Sequence, residues 1–105
     1  MSGIRTTVLS ISTIKISASE QVADWLCGLT PQTKHQVRLA LRGLAKGEGD
    51  IKGLQGALEG FNRLRIGAQR IIYRQISGQK ILLEYANTRD VIYELYEHIL
   101  ENRKR

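Results

Sequence analysis

Apolar positions along the chain change their period several times, and each change predicts an element. Thr6–Ile16 is rich in Val, Ile, Thr and Ser and predicts a first strand with imperfect alternation. Val22, Trp25, Leu26 and Leu29 then follow the i, i+3, i+4, i+7 spacing of one buried helix face, and Ser19 can cap that helix. At Thr30-Pro31 a second helix begins, because Thr caps well and Pro lacks only an N–H that would be unpaired there. It runs to about Lys46 with Val37, Ala40, Leu41 and Leu44 as its apolar stripe. Lys34, Arg38 and Arg42 lie on another face, and Gly47 and Gly49 stop it. Gly47–Gly60 is a glycine-punctuated connection with isolated apolar anchors at Ile51, Leu54 and Leu58. Three strands follow, at about Phe61–Ile66, Gln69–Ile76 and Lys80–Asn87. Thr88 or Asp90 can cap a final helix that buries Ile92, Leu95 and Ile99. The order β-α-α-β-β-β-α predicts a single α+β domain over residues 1–105. Its antiparallel sheet would carry the two N-terminal helices on one face.

The hairpin fixes where its side chains point. Ile66-Gly67-Ala68-Gln69 reads as a two-residue turn with Gly where positive φ is needed. Residue 65 then faces 70, 63 faces 72 and 61 faces 74, so Phe61, Arg63, Arg65, Arg70, Ile72 and Arg74 share one sheet face. Asn62, Leu64, Ile66, Gln69, Ile71 and Tyr73 take the other, more apolar face. Like charges directly opposite disfavour folding, so Arg65 beside Arg70 invites an anionic ligand. Without a ligand the same face would simply be solvated. Phe61 with Tyr85 or Tyr93 could stack a base. The third strand has two readings. A two-residue Ser77-Gly78 loop puts Ile81, Leu83 and Tyr85 on the basic face. A three-residue loop puts Leu82, Glu84 and Ala86 there, which is preferred for burial and offers Glu84 to an arginine.

Charge sharpens this picture. The net charge of +6 favours a polyanionic partner. Between Phe61 and Lys80 stand Arg63, Arg65, Arg70, Arg74 and Lys80 with no carboxylate. Cys27, the only cysteine, permits no internal disulfide. With no recognisable secretory signal and no apolar run long enough to span a bilayer, a cytoplasmic setting is expected. No Cys/His spacing points to a metal, and no glycine-rich loop to a nucleotide cofactor. His35 and His98 fit solvated helix positions, and Trp25 fits the core.

The stretch Gly60-Phe61-Asn62-Arg63-Leu64-Arg65-Ile66-Gly67-Ala68-Gln69-Arg70-Ile71-Ile72-Tyr73 resembles the RelE/ParE toxin superfamily, which has an alternating basic strand, a tight turn, then Arg-aliphatic-aliphatic-Tyr. Ala86-Asn87-Thr88-Arg89-Asp90-Val91-Ile92-Tyr93 is similar to that family's strand end, arginine-bearing loop and following tyrosine. The resemblance implies a RelE-like fold with a basic groove opposite the two helices. It implies a toxin of a type II toxin–antitoxin pair, a ribosome-dependent endoribonuclease. Such enzymes cleave mRNA in the A site by 2′-hydroxyl attack on the adjacent phosphate. By matching position, Arg63, Arg65, Arg70 and Tyr93 would be catalytic. Phe61, Arg74, Arg89 and Asn87 would contact RNA, with either Arg89 or Asn87 in the place of the loop arginine. Implied partners are a small acidic antitoxin, the ribosome with its rRNA backbone, and mRNA. The toxin–antitoxin complex would bind operator DNA through the antitoxin. No cofactor, metal or membrane is implied.

The strand cations are arginine where RelE commonly has lysine. Arginine neutralises phosphate but does not readily accept a proton, so the base must come from Tyr93, Glu84 or a ribosomal group. Tyr93 fits helix packing equally well. Two further readings use the same fold: a ParE-like DNA gyrase inhibitor, and a non-catalytic nucleic-acid-binding relative.

Overall fold

A computed structural model describes residues 9–11, 14–88 and 92–103. The chain is α+β. Its order is β1 (Leu9–Ile11), β2 (Ile14–Ala18), α1 (Glu20–Cys27), α2 (Pro31–Ala45), β3 (Asp50–Gly53), a 3-10 turn (Gly56–Leu58), β4 (Asn62–Ile66), β5 (Gln69–Ser77), β6 (Lys80–Asn87) and α3 (Ile92–Arg103). The described strands form one sheet in the order β1-β2-β6-β5-β4-β3.

Both helix starts follow from their caps. The Ser19 hydroxyl accepts from the Val22 N–H, and the Thr30 hydroxyl from the Thr33 N–H with Pro31 just inside. Val22 from α1 and Val37, Leu41 and Leu44 from α2 bury against Ile16, Ala18, Leu64, Ile71, Tyr73, Ile81, Leu83 and Ala86 of the sheet. Trp25, Leu26 and Leu29 pack half-buried at the margin of this core.

Four expectations change. The single strand Thr6–Ile16 is, within the described residues, two antiparallel strands with Ile11 paired to Ile14. The sheet is not wholly antiparallel, because β2 runs parallel to β6, pairing Ile16 with Ile81 and Ala18 with Leu83. That direction brings the chain to Ser19 at the point where α1 docks on β6. The Ser19 hydroxyl donates to the Glu84 carbonyl, and the Gln21 amide exchanges two hydrogen bonds with the Ala86 backbone. The third change is in the connection after α2, which contains the edge strand β3. This edge strand packs only half-buried Ile51 against the core, so it shows no alternation.

The fourth concerns the face opposite α1 and α2, which is not an open basic groove. A second apolar cluster fills its centre, with Leu58, Ile72 and Tyr96 buried and Leu54, Phe61, Tyr85, Tyr93, Ile99 and Leu100 packed around them. α3 and the 3-10 turn thus cover part of that face. The buried centre of α3 is Tyr96, with Ile99 half-buried as expected. The side chains of Ile92 and Leu95 lie outside the described residues, as do Arg89 and Asp90.

Candidate nucleic-acid interface

The hairpin has the expected register: Arg63 opposite Ile72, Leu64 opposite Ile71, Arg65 opposite Arg70 and Ile66 opposite Gln69. Gly67 has φ +58°, the conformation a tight hairpin turn demands at its first central residue. β3 extends the arginine face, since Asp50 pairs with Arg65 and Lys52 with Arg63.

The third strand combines its two readings through a bulge. Ile72 pairs with Tyr85 and Tyr73 with Leu83, so β6 carries one extra residue, Glu84. Leu82 and Glu84 point toward the arginine face, the placement preferred for burial, although the turn itself has two residues between paired Ser77 and Lys80 and a second register shift lies between Gln75 and Ser77. Beyond the bulge the phase flips, so Ala86 joins the core and Tyr85 joins the arginine face.

Each arginine has a different environment. Arg63 is buried, and its Nη2 donates to Asp50 Oδ1 at 3.0 Å, while its Nε finds no acceptor. Arg70 is also buried. Its Nη1 donates to the carbonyls of Gly67 and Gln69 at 2.9 and 3.2 Å, so it braces the hairpin turn. Arg74 is half-exposed, with Nε and Nη2 both 3.0 Å from Glu84 Oε2 and its guanidinium over the Phe61 ring. Arg65 is exposed and has no ion-pair or hydrogen-bond partner among the described residues. A partnered cation offers less to a ligand than a free one, so Arg65 is the hairpin arginine best placed to take a phosphate.

Glu84 organises the far side of the site. It is 7% exposed, and its carboxylate faces Arg74, the Tyr96 hydroxyl (2.8 Å from Oε1) and Arg103 (3.9 Å from Oε1). Burial holds the Tyr96 phenol far above the ordinary tyrosine range, and donation to the Glu84 carboxylate reinforces this. Burial alone raises Tyr73. Tyr96 also meets Phe61 edge-on at 5.5 Å and stacks on Tyr85 at 5.6 Å between ring centroids. Phe61 is therefore engaged in packing.

Tyr93 is half-buried and lines a cavity of about 280 Å³ with Lys52, Gly53, Leu54 and Gln55. Asn87 pairs across the sheet with Arg70, and its side-chain oxygen accepts from the Thr88 N–H. Arg89 lies outside the described residues. His35 and His98 are exposed, and the described residues contain no cluster of His, Cys, Asp or Glu that could hold a metal. None of their helices is long and apolar enough to cross a membrane.

Sequence reasoning missed Tyr96, Asp50 and Lys52. Tyr96 lies three residues after Tyr93 and four before Leu100, a helical spacing that marks the same face. Asp50 and Lys52 had no signal without β3. Comparison with known proteins finds no matching family model, no matching curated protein and no matching solved structure.

Proposed function

We propose that this chain is a RelE-type toxin that cleaves mRNA on the ribosome and is neutralised by a small acidic antitoxin. The observation that carries the reading is the cross-strand pair Arg65–Arg70, with Arg65 exposed beside a tight turn and without a partner among the described residues. It adds to the resemblance of the Gly60–Tyr73 stretch. In the cleavage, the 2′-oxygen bonds to phosphorus, the bond to the 5′-oxygen breaks, and negative charge grows on the phosphoryl oxygens. Arg65 would bind that phosphate with its planar fork, and Arg70 would sit behind it while bracing the turn. Neither readily accepts the 2′-proton. Glu84 is committed to Arg74 and Tyr96, which leaves Tyr93 or a ribosomal group as the base.

Induced expression tests this reading. Growth should stop with codon-phased cuts in the message, and Arg65→Ala should relieve both. Intact message during growth arrest would overturn the nuclease reading.

A second reading is a non-cleaving relative, such as a ParE-like gyrase inhibitor. The ion pairs Arg63–Asp50 and Arg74–Glu84 favour it, because both neutralise cations that cleavage would use. Inhibition of gyrase supercoiling by the purified chain, with intact message, would select it.

A further inference from the structure

We propose that Lys52, which lines the Tyr93 cavity, is a phosphate-binding residue that extends the arginine face by one phosphate. The inference rests on the proposed RNA-directed function and names part of its substrate site.

Lys52 stands opposite Arg63 in the β3–β4 ladder, so it belongs to the arginine face although it is far from the hairpin in sequence. Arg63 turns to Asp50, which is diagonal to it, and leaves its direct neighbour Lys52 unaccompanied. Lys52 is exposed and has no carboxylate partner among the described residues. Together with Arg65 it forms a diagonal of two open cations across β3 and β4, and Arg63 between them is already neutralised. Such a diagonal fits two successive phosphates of one strand better than a single small anion.

The cavity narrows the ligand class. Among the described residues its lining includes Lys52, Tyr93 and Gln55, which carry an ammonium, a phenol and a side-chain amide, and no acidic residue. Lys52 is a charged group that only donates, and Tyr93 and Gln55 can donate beside it, so the site can hold an anion. At about 280 Å³ it falls below the roughly 300–1,000 Å³ typical of pockets that enclose a whole small molecule. It has ample room for a phosphoryl group. The shared chemistry is a phosphate oxyanion, supplied either by a phosphodiester strand or by free inorganic phosphate.

The test uses the full chain and a short fluorescent RNA with 2′-O-methyl substitution at every position, which cannot undergo 2′-hydroxyl attack. Affinity is measured at several salt concentrations for the parent, Lys52→Gln, Lys52→Arg, Arg65→Gln and the remote helix variant Arg38→Gln. Lys52→Gln should weaken binding about five- to ten-fold and lower the salt slope by roughly 0.7, the loss of one phosphate contact on a single strand. Lys52→Arg should restore both, and Arg38→Gln should change neither. Inorganic phosphate at millimolar concentration should compete poorly if the site takes a strand. Effective competition in the parent, lost in Lys52→Gln, would keep the phosphate site but assign it to free phosphate. Parent-like affinity and slope in Lys52→Gln, equal losses in Lys52→Gln and Arg38→Gln, or no binding by the parent at low salt would each overturn the proposal. Failure of the toxin reading is seen separately, as oligonucleotide binding that depends on Lys52 without message cleavage in cells.

Discussion

Arg65 and Arg70 face each other across the hairpin, yet their removal should act in opposite directions on stability. Arg65 is exposed between the like charge of Arg70 and the opposite charge of Asp50, whose effects offset, so Arg65→Ala should leave stability unchanged or raise it by no more than about 0.5 kcal/mol. Arg70 donates to two turn carbonyls, so Arg70→Ala should cost about 1–3 kcal/mol. Urea denaturation measures both, and equal effects would mean that Arg70 does not brace the turn. For function, Arg65→Ala is therefore the cleaner variant, because Arg70→Ala confounds chemistry with folding. Tyr96 gives a pH signature. Its phenol is held protonated in the folded chain far above the ordinary value of 10.0. Below pH 10 both states keep the proton and the contribution is constant. Above it the unfolded chain ionises first, so stability falls as pH climbs toward the folded value. The decline in urea midpoint between pH 9 and 11.5 should be shallower in Tyr96→Phe. Parallel curves would show that the Tyr96–Glu84 bond carries none of it, with Tyr73 as the other raised group.

Among the elements, the hairpin and β6 position the site and the 3-10 turn supports it from below. Gly67 at φ +58° allows the Arg65–Arg70 pairing, and Gly67→Ala should cost about 1–2 kcal/mol by forcing a side chain into left-handed backbone. Leu58 is 2% exposed beneath α3 and beside Ile72, and Leu58→Ala should cost about 2–5 kcal/mol in urea unfolding. Loss near zero would mean that the second cluster does not hold the turn to the sheet. The helices, β4, β5 and their register were legible in the sequence because each has a local cause: a cap, an apolar stripe or a glycine at a turn. The edge strand β3 was not, since one half-buried residue makes no pattern. Nor was the β6 bulge, whose backbone is satisfied by Ser19 and Gln21 from 65 residues away. Because β3 was missed, so were Asp50 and Lys52. The four arginines were placed on the correct face, and Glu84 was expected to meet one of them, as it does Arg74, whereas Asp50, the partner of Arg63, was invisible because it comes from β3.

The whole molecule is a sheet with unequal faces. One face is closed by α1 and α2, and the other is split between an apolar cluster under α3 and a basic margin along β3 and the hairpin. Much of that margin's charge is internally paired, leaving Arg65 and Lys52 as cations without a carboxylate partner among the described residues. The proposed function lays an RNA strand along this margin on the ribosome. Its most direct measurement is primer extension on ribosomes programmed with a defined message and incubated with the purified chain. Cuts confined to the A-site codon, reduced by at least about ten-fold in the stably folded Arg65→Ala variant, are the predicted result. Full-length message at equimolar chain and ribosome, or cuts unchanged by Arg65→Ala, would contradict it.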